Sequence, residues 1–226
     1  MRVLAIDTAL EACAAAVLDT SAGITASETL GMTRGHAEAL MPLVARVMNG
    51  AGIEFADLDR IAVTTGPGSF TGLRVGISAA RGIALTAGKP AIGLSTLAGL
   101  AAPLIAGDDN AQVVAAIDAR HDHIYLQVFG VNGRTLVGPR MATVRDGVRA
   151  ATTAPARIIG SAAKKVAAAW PNGAEPPLSV DHLGAPDIDW IARLGAAAAD
   201  GQSPPKPLYL REPDAQPQDA ARLPRR

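Results

Sequence analysis

A short unit occurs twice in this chain, and it restricts the possible folds more than any other feature. "RVLAIDTA" at 2–9 is an apolar run that ends in Asp-Thr and leads into a second apolar run, "CAAAVLD" at 13–19. "VVAAIDAR" at 113–120 leads in the same way into "IYLQVFG" at 124–130. Asp118 stands 111 positions after Asp7, and Ile124 stands 111 after Cys13, so the register is kept. A third pair, "ITASETL" (24–30) and "RTLVGPR" (134–140), falls at nearly the same offset. Short apolar runs joined by polar turns read as strands. Their recurrence in register predicts two lobes of duplicated topology, 1–100 and 101–226, with the boundary near Gly99–Asn110.

The intervening segments alternate with strands, which predicts an α/β fold with central sheets flanked by helices. "RGHAEALMPLVARVMNGAG" (34–52) places Leu40, Met41, Leu43, Val44, Val47 and Met48 on one helical face, with Pro42 either in the first turn or at a kink. "RIAVTTG" (60–66) and "PAIGLS" (90–95) read as strands around a long helix that ends at Gly88. Beyond Arg140, "RIIGSA" (157–162) suits a strand and 186–201 a helix, while the prolines of 204–217 predict an extended tail.

Composition removes several functions. Lys+Arg and Asp+Glu both number 21, so net charge gives no nucleic-acid or membrane signature, and 3% aromatic residues leave little for base stacking. A single cysteine, Cys13, excludes an internal disulfide framework and a cysteine-rich zinc site; its apolar surroundings predict a buried thiol. Asp7 interrupts the N-terminal apolar run too early for a signal peptide, and no apolar stretch approaches the ~20 residues of a membrane span, so a cytoplasmic protein is expected.

The stretch "TTGPGSFTGLRVGISAARGIALTAG" (64–88) has the glycines of a phosphate loop but meets neither familiar pattern. A Walker A loop needs a lysine, and none occurs between Asp7 and Lys89; the dinucleotide pattern begins at Gly66 and Gly68 but has Thr71 at its third glycine position. Strand, glycine turn and helix still offer a capped helix start and free N–H groups. Along the helix, Gly72, Gly76, Ala80 and Ala84 form a stripe of small residues beside Val75, Ala79 and Ile83. Glycine within a helix costs roughly 1 kcal/mol relative to alanine, so this stripe predicts close approach by a sheet or another helix, the latter being the preferred reading.

Chemistry is sparse. There is no H-E-x-x-H, G-x-S-x-G or C-x-x-C. His121 and His123 flank Asp122 at an expected turn, where solvated side chains are favoured over a metal site. Asp7, with Thr8 and Ala9 behind it, and Asp118, followed by Ala119 and Arg120, are the remaining candidates for a nucleotide cleft, and only the first has the small residues a phosphate needs. No complete catalytic set and no metal set emerges.

"LAIDTA", "GHAEALMPLV", "TTGPGSFTGLRVGISAARGIALTAGKPAIGLSTLAGLA", "IDARHDHIYLQVF" and "PLYLREPDAQP" together resemble the bacterial TsaB (YeaZ) family nearly end to end. The resemblance implies an actin-like ATPase (ASKHA) superfamily fold. It implies a role in making N6-threonylcarbamoyladenosine beside the anticodon of tRNA, as the non-catalytic partner of TsaD. TsaE would be an ATPase accessory, TsaC the source of the activated group, and tRNA would be met through the complex. It implies no cofactor and no metal: where the catalytic relative carries a His-x-x-x-His pair, this chain has Thr96 and Leu100. Asp7, Thr8, Gly66 and Gly68 are then vestigial nucleotide-site residues. By the same resemblance, the helices at 34–50 and 71–87 would dock TsaD, or a second copy as a homodimer. His36, Leu40, Leu43, Val44, Val47, Gly72, Val75, Gly76, Ala79, Ala80, Ile83 and Ala84 are the expected interface. The alternative is an independent actin-fold ATPase or phosphotransferase using Asp7 and the Gly66–Gly68 loop.

Overall fold

The computed structural model describes residues 1–107, 110–199 and 204–211. The first apolar runs become β1 (Arg2–Asp7) and β2 (Ala12–Asp19), antiparallel and joined at the Asp7 turn, with β3 (Gly23–Gly31) antiparallel to β2. Helix α1 (His36–Ala51), β4 (Arg60–Gly66), α2 (Phe70–Ala87) and β5 (Ala91–Ser95) follow, and β4 and β5 add parallel strands on the other side of β1. The sheet order is β3-β2-β1-β4-β5. α1 continues through Pro42, which lies on its exposed side.

After α3 (Thr96–Ile105) the plan repeats as β6 (Gln112–Asp118), β7 (His123–Phe129), β8 (Thr135–Thr143), α4 (Val144–Ala151), β9 (Ala156–Ile159), α5 (Ala163–Ala168) and β10 (Ser179–Asp181). The second sheet has the order β10-β9-β6-β7-β8, with β6 antiparallel to β7 and parallel to β9. Asp7 pairs with Ala14 and Asp118 with Ile124, so each first strand ends at its aspartate, but the second turn is one residue shorter and the pairing register shifts by one from the offset of 111. Each lobe is a mixed α/β sheet flanked by helices, and the topology is duplicated.

Both faces of each sheet are covered, which is why β1 and β6 are nearly continuous apolar runs. Leu4 and Ile6 face α1 and α2, while Val3 and Ala5 face Ile188, Ile191 and Ala192 of α6 (Ile188–Ala197). In the second lobe Val114 and Ala116 face α4 and α5, and Val113, Ala115 and Ile117 face Leu97, Leu100 and Ala101 of α3. The inner helices are thus exchanged: α3 precedes the second sheet and covers it, and α6 returns from the chain's far end to cover the first. They touch at Gly99, where a Cβ would overlap the end of Ile191. A boundary at residue 100 falls inside α3. Buried Arg60 fastens the return by donating from Nη1 to the carbonyls of Gly195 (3.1 Å) and Ala198 (2.7 Å) at the end of α6.

Candidate functional site

The glycine loop after β4 meets the Asp7 turn between β1 and β2, and the two close on each other. Ser69 N–H donates to the Ala9 carbonyl at 2.7 Å, and Thr8 Oγ1 donates to the Gly72 carbonyl at 2.7 Å. A Cβ on Gly68 would overlap the Ala9 carbonyl, one on Gly72 the Thr8 carbonyl, and one on Gly76 the Thr8 hydroxyl. The small residues therefore let the start of α2 sit directly on the β1–β2 turn. This corrects the expectation that the stripe packs against another helix: the close neighbour is the chain's own strand turn. Ser69 Oγ caps α2 by accepting from Gly72 N–H at 3.3 Å.

Asp7 is fully buried beneath this contact. Its Oδ1 accepts from Ala9 N–H at 3.0 Å and from Thr64 Oγ1, while Oδ2 has no hydrogen-bond partner. Burial pushes the carboxyl above its ordinary 3.8, against the opposing pull of Thr64, the turn N–H groups and nearby His36. Cys13 is fully buried as well, and burial, with Asp7 and Glu28 nearby, raises its thiol to about 11, as expected of an inert structural cysteine.

The equivalent Asp118 is only partly buried. Oδ2 pairs with Lys165 Nζ at 2.8 Å and Oδ1 accepts from Arg120 N–H at 3.0 Å. Burial acts to raise its carboxyl, but Lys165 and Arg120 outweigh burial and hold it below 3.8. His121 and Asp122 stand in a left-handed turn, and His123 Nδ1 donates to the His121 carbonyl at 2.7 Å. Thr96 and Leu100 are fully buried, and the Thr96 hydroxyl has no hydrogen-bond partner.

Between the lobes lies a cavity of about 560 Å³, lined by Gly68, Ser69, Phe70, Asp118, Arg120 and Tyr125 among others; Asp7 is not in its wall. The tail crosses its rim. Leu208 N–H donates to the Thr65 carbonyl at 2.7 Å, and a Cβ on Gly66 (φ 120°) would stand 2.9 Å from the Leu208 carbonyl. Tyr209 stacks on Phe70 at 5.3 Å, Arg74 covers Phe70 at 3.9 Å and its Nε donates to Tyr209 Oη at 3.1 Å. Arg211 Nη1 reaches the Ala119 carbonyl at 3.3 Å in the other lobe. The tail's engagement with this loop was not legible from the sequence; a glycine at 66 and a tyrosine in the proline-rich segment were its faint signals. Residues 212–217 of the expected extended tail lie outside the described residues.

The expected interface side chains mostly point inward. Leu40, Leu43, Val44 and Val47 of α1 and Gly72, Gly76, Ala80, Ile83 and Ala84 of α2 are buried in the first-lobe core. His36 Nε2 donates to the Leu10 carbonyl at 3.2 Å. Val75 and Ala79 are half-buried. The physical reason is the sheet: the most apolar stripe of each helix covers β1, β2 and β4. What the pair leaves outward is Met41, Pro42 and Ala45 on α1 and Ser78, Gly82 and Leu85 on α2, with Leu85 83% exposed.

Residues 23–181 match the family model TsaD, described as tRNA N6-adenosine threonylcarbamoyltransferase. The chain is 41% identical over 125 residues to the Escherichia coli tRNA threonylcarbamoyladenosine biosynthesis protein TsaB, covering 55% of this chain and 53% of that protein. It thus spans about half the length of the curated TsaB relatives it matches. It is 32% identical over 218 residues, 95% of this chain and 94% of the other, to uncharacterized protein Rv3421c of Mycobacterium tuberculosis. The crystal structure of a Pseudomonas aeruginosa protein described as similar to peptidase YEAZ superposes with a TM-score of 0.80 at 29% identity, covering 93% of this chain and 99% of that one. YeaZ from the same organism gives 0.74 at 26% identity, over 92% and 99%. The chain belongs to the TsaD family of tRNA N6-adenosine threonylcarbamoyltransferases, on the side of it occupied by TsaB (YeaZ).

Proposed function

We propose that this chain is a non-catalytic scaffold subunit for a TsaD-type tRNA N6-adenosine threonylcarbamoyltransferase, docking it through the outward face of α1 and α2. The observation that carries the reading is the closed first-lobe turn. Ser69 N–H and the Thr8 hydroxyl, donors that a phosphate would need, are spent on the Ala9 and Gly72 carbonyls, and Asp7 is sealed beneath them. The buried Thr96 and Leu100, where the catalytic relative carries histidines, support the same conclusion. Met41, Pro42, Ala45 and Leu85 then supply the exposed apolar centre that an interface requires. Without the transferase, the same face would pair two copies of the chain. TsaE and TsaC would act in the same pathway, in the cytoplasm; among the described residues no helix is long and apolar enough to cross a membrane.

Light scattering on a sizing column tests this, with the chain alone and mixed with a TsaD-type transferase. A one-to-one complex is expected, and Met41→Asp with Leu85→Asp should abolish it without lowering the melting temperature. A complex that survives both substitutions overturns the docking face, and no complex at all overturns the scaffold role. A second reading, an actin-fold ATPase or phosphotransferase, has the interlobe cavity in its favour. It must use Gly68, Ser69 and Asp118 rather than Asp7, and it predicts ATP binding to the isolated chain that Asp118→Ala weakens.

A further inference from the structure

The chain is neutral overall, but its charges are separated. Residues 112–181, which build the second sheet and its outer helices, hold eight Lys+Arg against five Asp+Glu, whereas residues 1–111 hold seven against ten. Two of those five carboxylates are committed. Asp118 pairs with Lys165. Asp146 closes the N-terminal cap of α4, accepting from Thr143 Oγ1 at 2.8 Å, and lies 3.8 Å from Arg149.

That leaves an exposed cationic face on β8, α4 and α5. Arg140 on the edge strand β8 is close enough for its charge to act on Asp146. Arg145 and Arg149 are separated by one turn of α4, about 6 Å along its axis. Arg140 and Arg145 have no ion pair among the described residues. Lys164 is exposed on α5, which packs beside α4.

Fold stability does not account for this arrangement. Edge protection explains cations and Pro139 on β8, and Arg149 suits the last turn of α4 and reaches Asp146, but neither accounts for Arg145. Arg145 stands in the first turn of α4, where the helix dipole disfavours a positive charge. The duplicated fold also supplies an internal comparison, because α4 corresponds to α1. There Arg46 is held by Glu28 on β3 at 2.6 Å and 2.9 Å, and the outer surface carries Met41, Pro42 and Ala45. The same place in the two lobes is apolar with a neutralised arginine in one and cationic in the other.

We infer that the β8–α4–α5 face docks the phosphate backbone of RNA, with Arg140, Arg145 and Arg149 as its centre. The identification of the polyanion as RNA rests on the functional reading above; the cationic face itself does not. Neutralising phosphates releases counterions, so the contact carries a measurable salt dependence.

The test is fluorescence anisotropy of a labelled anticodon stem-loop RNA titrated with the full chain across a series of salt concentrations. Replacing Arg140, Arg145 and Arg149 together by Gln is expected to weaken binding about tenfold. It should also make the slope of log affinity against log salt shallower by about two to three. Replacing Arg34, Arg81 and Lys89 together by Gln removes the same charge from the first lobe and should leave binding unchanged. Equal losses in the two triple variants would reduce the effect to net charge and overturn the inference. So would a wild-type chain with no salt-dependent RNA binding, or loss of an acidic protein partner with RNA binding intact. None of these outcomes touches association with the transferase, which the α1–α2 variants report separately.

Discussion

At the scale of single residues, Asp7 and the glycines of α2 are one device. Asp7 keeps a buried carboxyl with an unpartnered Oδ2, and its carboxyl is raised above 3.8 by burial. Below that ordinary value the group is protonated in both folded and unfolded chains and exerts no pH-dependent penalty. As the pH rises through it, the unfolded chain ionises first and stability is lost until the raised folded value is passed. Asp7→Asn removes this loss, so its melting temperature relative to wild type should climb between pH 3.5 and pH 7, read by thermal melts across that range ~3 pH units wide. A difference that stays flat would mean that the Asp7 carboxyl ionises as readily in the folded chain as in the unfolded one. Gly72→Ala and Gly76→Leu should destabilise the fold by about 1–3 kcal/mol or more, measured by urea unfolding, because backbone and the Thr8 hydroxyl occupy the Cβ positions. Loss of partner binding in those variants would therefore report unfolding rather than an interface. That is why Met41 and Leu85 are the sites to change.

At the scale of elements, α1 and α2 show how a helical face is divided. Periodicity located both helices and chose the apolar stripe, but it did not say whether that stripe meets a sheet or a partner. The sheet takes it, since β1, β2 and β4 offer a larger apolar surface than the outward side leaves. Ser69→Ala removes the α2 cap and should cost about 1 kcal/mol by chemical unfolding. The tail is an element without secondary structure, held by the Phe70–Tyr209 stack, Arg74, the Leu208–Thr65 backbone hydrogen bond and the reach of Arg211 to the Ala119 carbonyl. Tyr209→Ala should loosen it, seen as faster proteolysis at 204–211 with little change in the global melting temperature. Unchanged proteolysis would show that the Leu208 and Arg211 hydrogen bonds hold the tail without the stack.

At the scale of the whole molecule, the exchange of α3 and α6 makes the lobes mutually dependent. A chain ending before Ile188 would uncover Val3, Ala5, Ala14, Ala16 and Ala62 on one face of the first sheet. Such a truncation is expected to bind a hydrophobic dye and lose its cooperative melt; a folded, cooperative product would show that α6 is dispensable. The separation of a cationic β8–α4–α5 face from a first lobe with an apolar outer face also belongs to this scale, because neither net charge nor composition reveals it.

The sequence by itself determined the strands, the Asp turns and the duplicated order, because these follow from local apolar period, turn chemistry and a register repeated at a fixed offset. It also marked Gly72 and Gly76 as sites of close approach, since two glycines in a helix need a reason. The shorter α4, α5 and β10 escaped it: with eight, six and three residues they span too few turns or strand positions for a pattern to stand out. Tertiary structure alone decided what approaches those glycines, that Asp7 is buried while Asp118 is not, and which sheet each inner helix covers. These are contacts between residues far apart in the chain. Their outcome depends on which apolar surfaces compete for burial once the sheets have formed, and no local pattern records that competition.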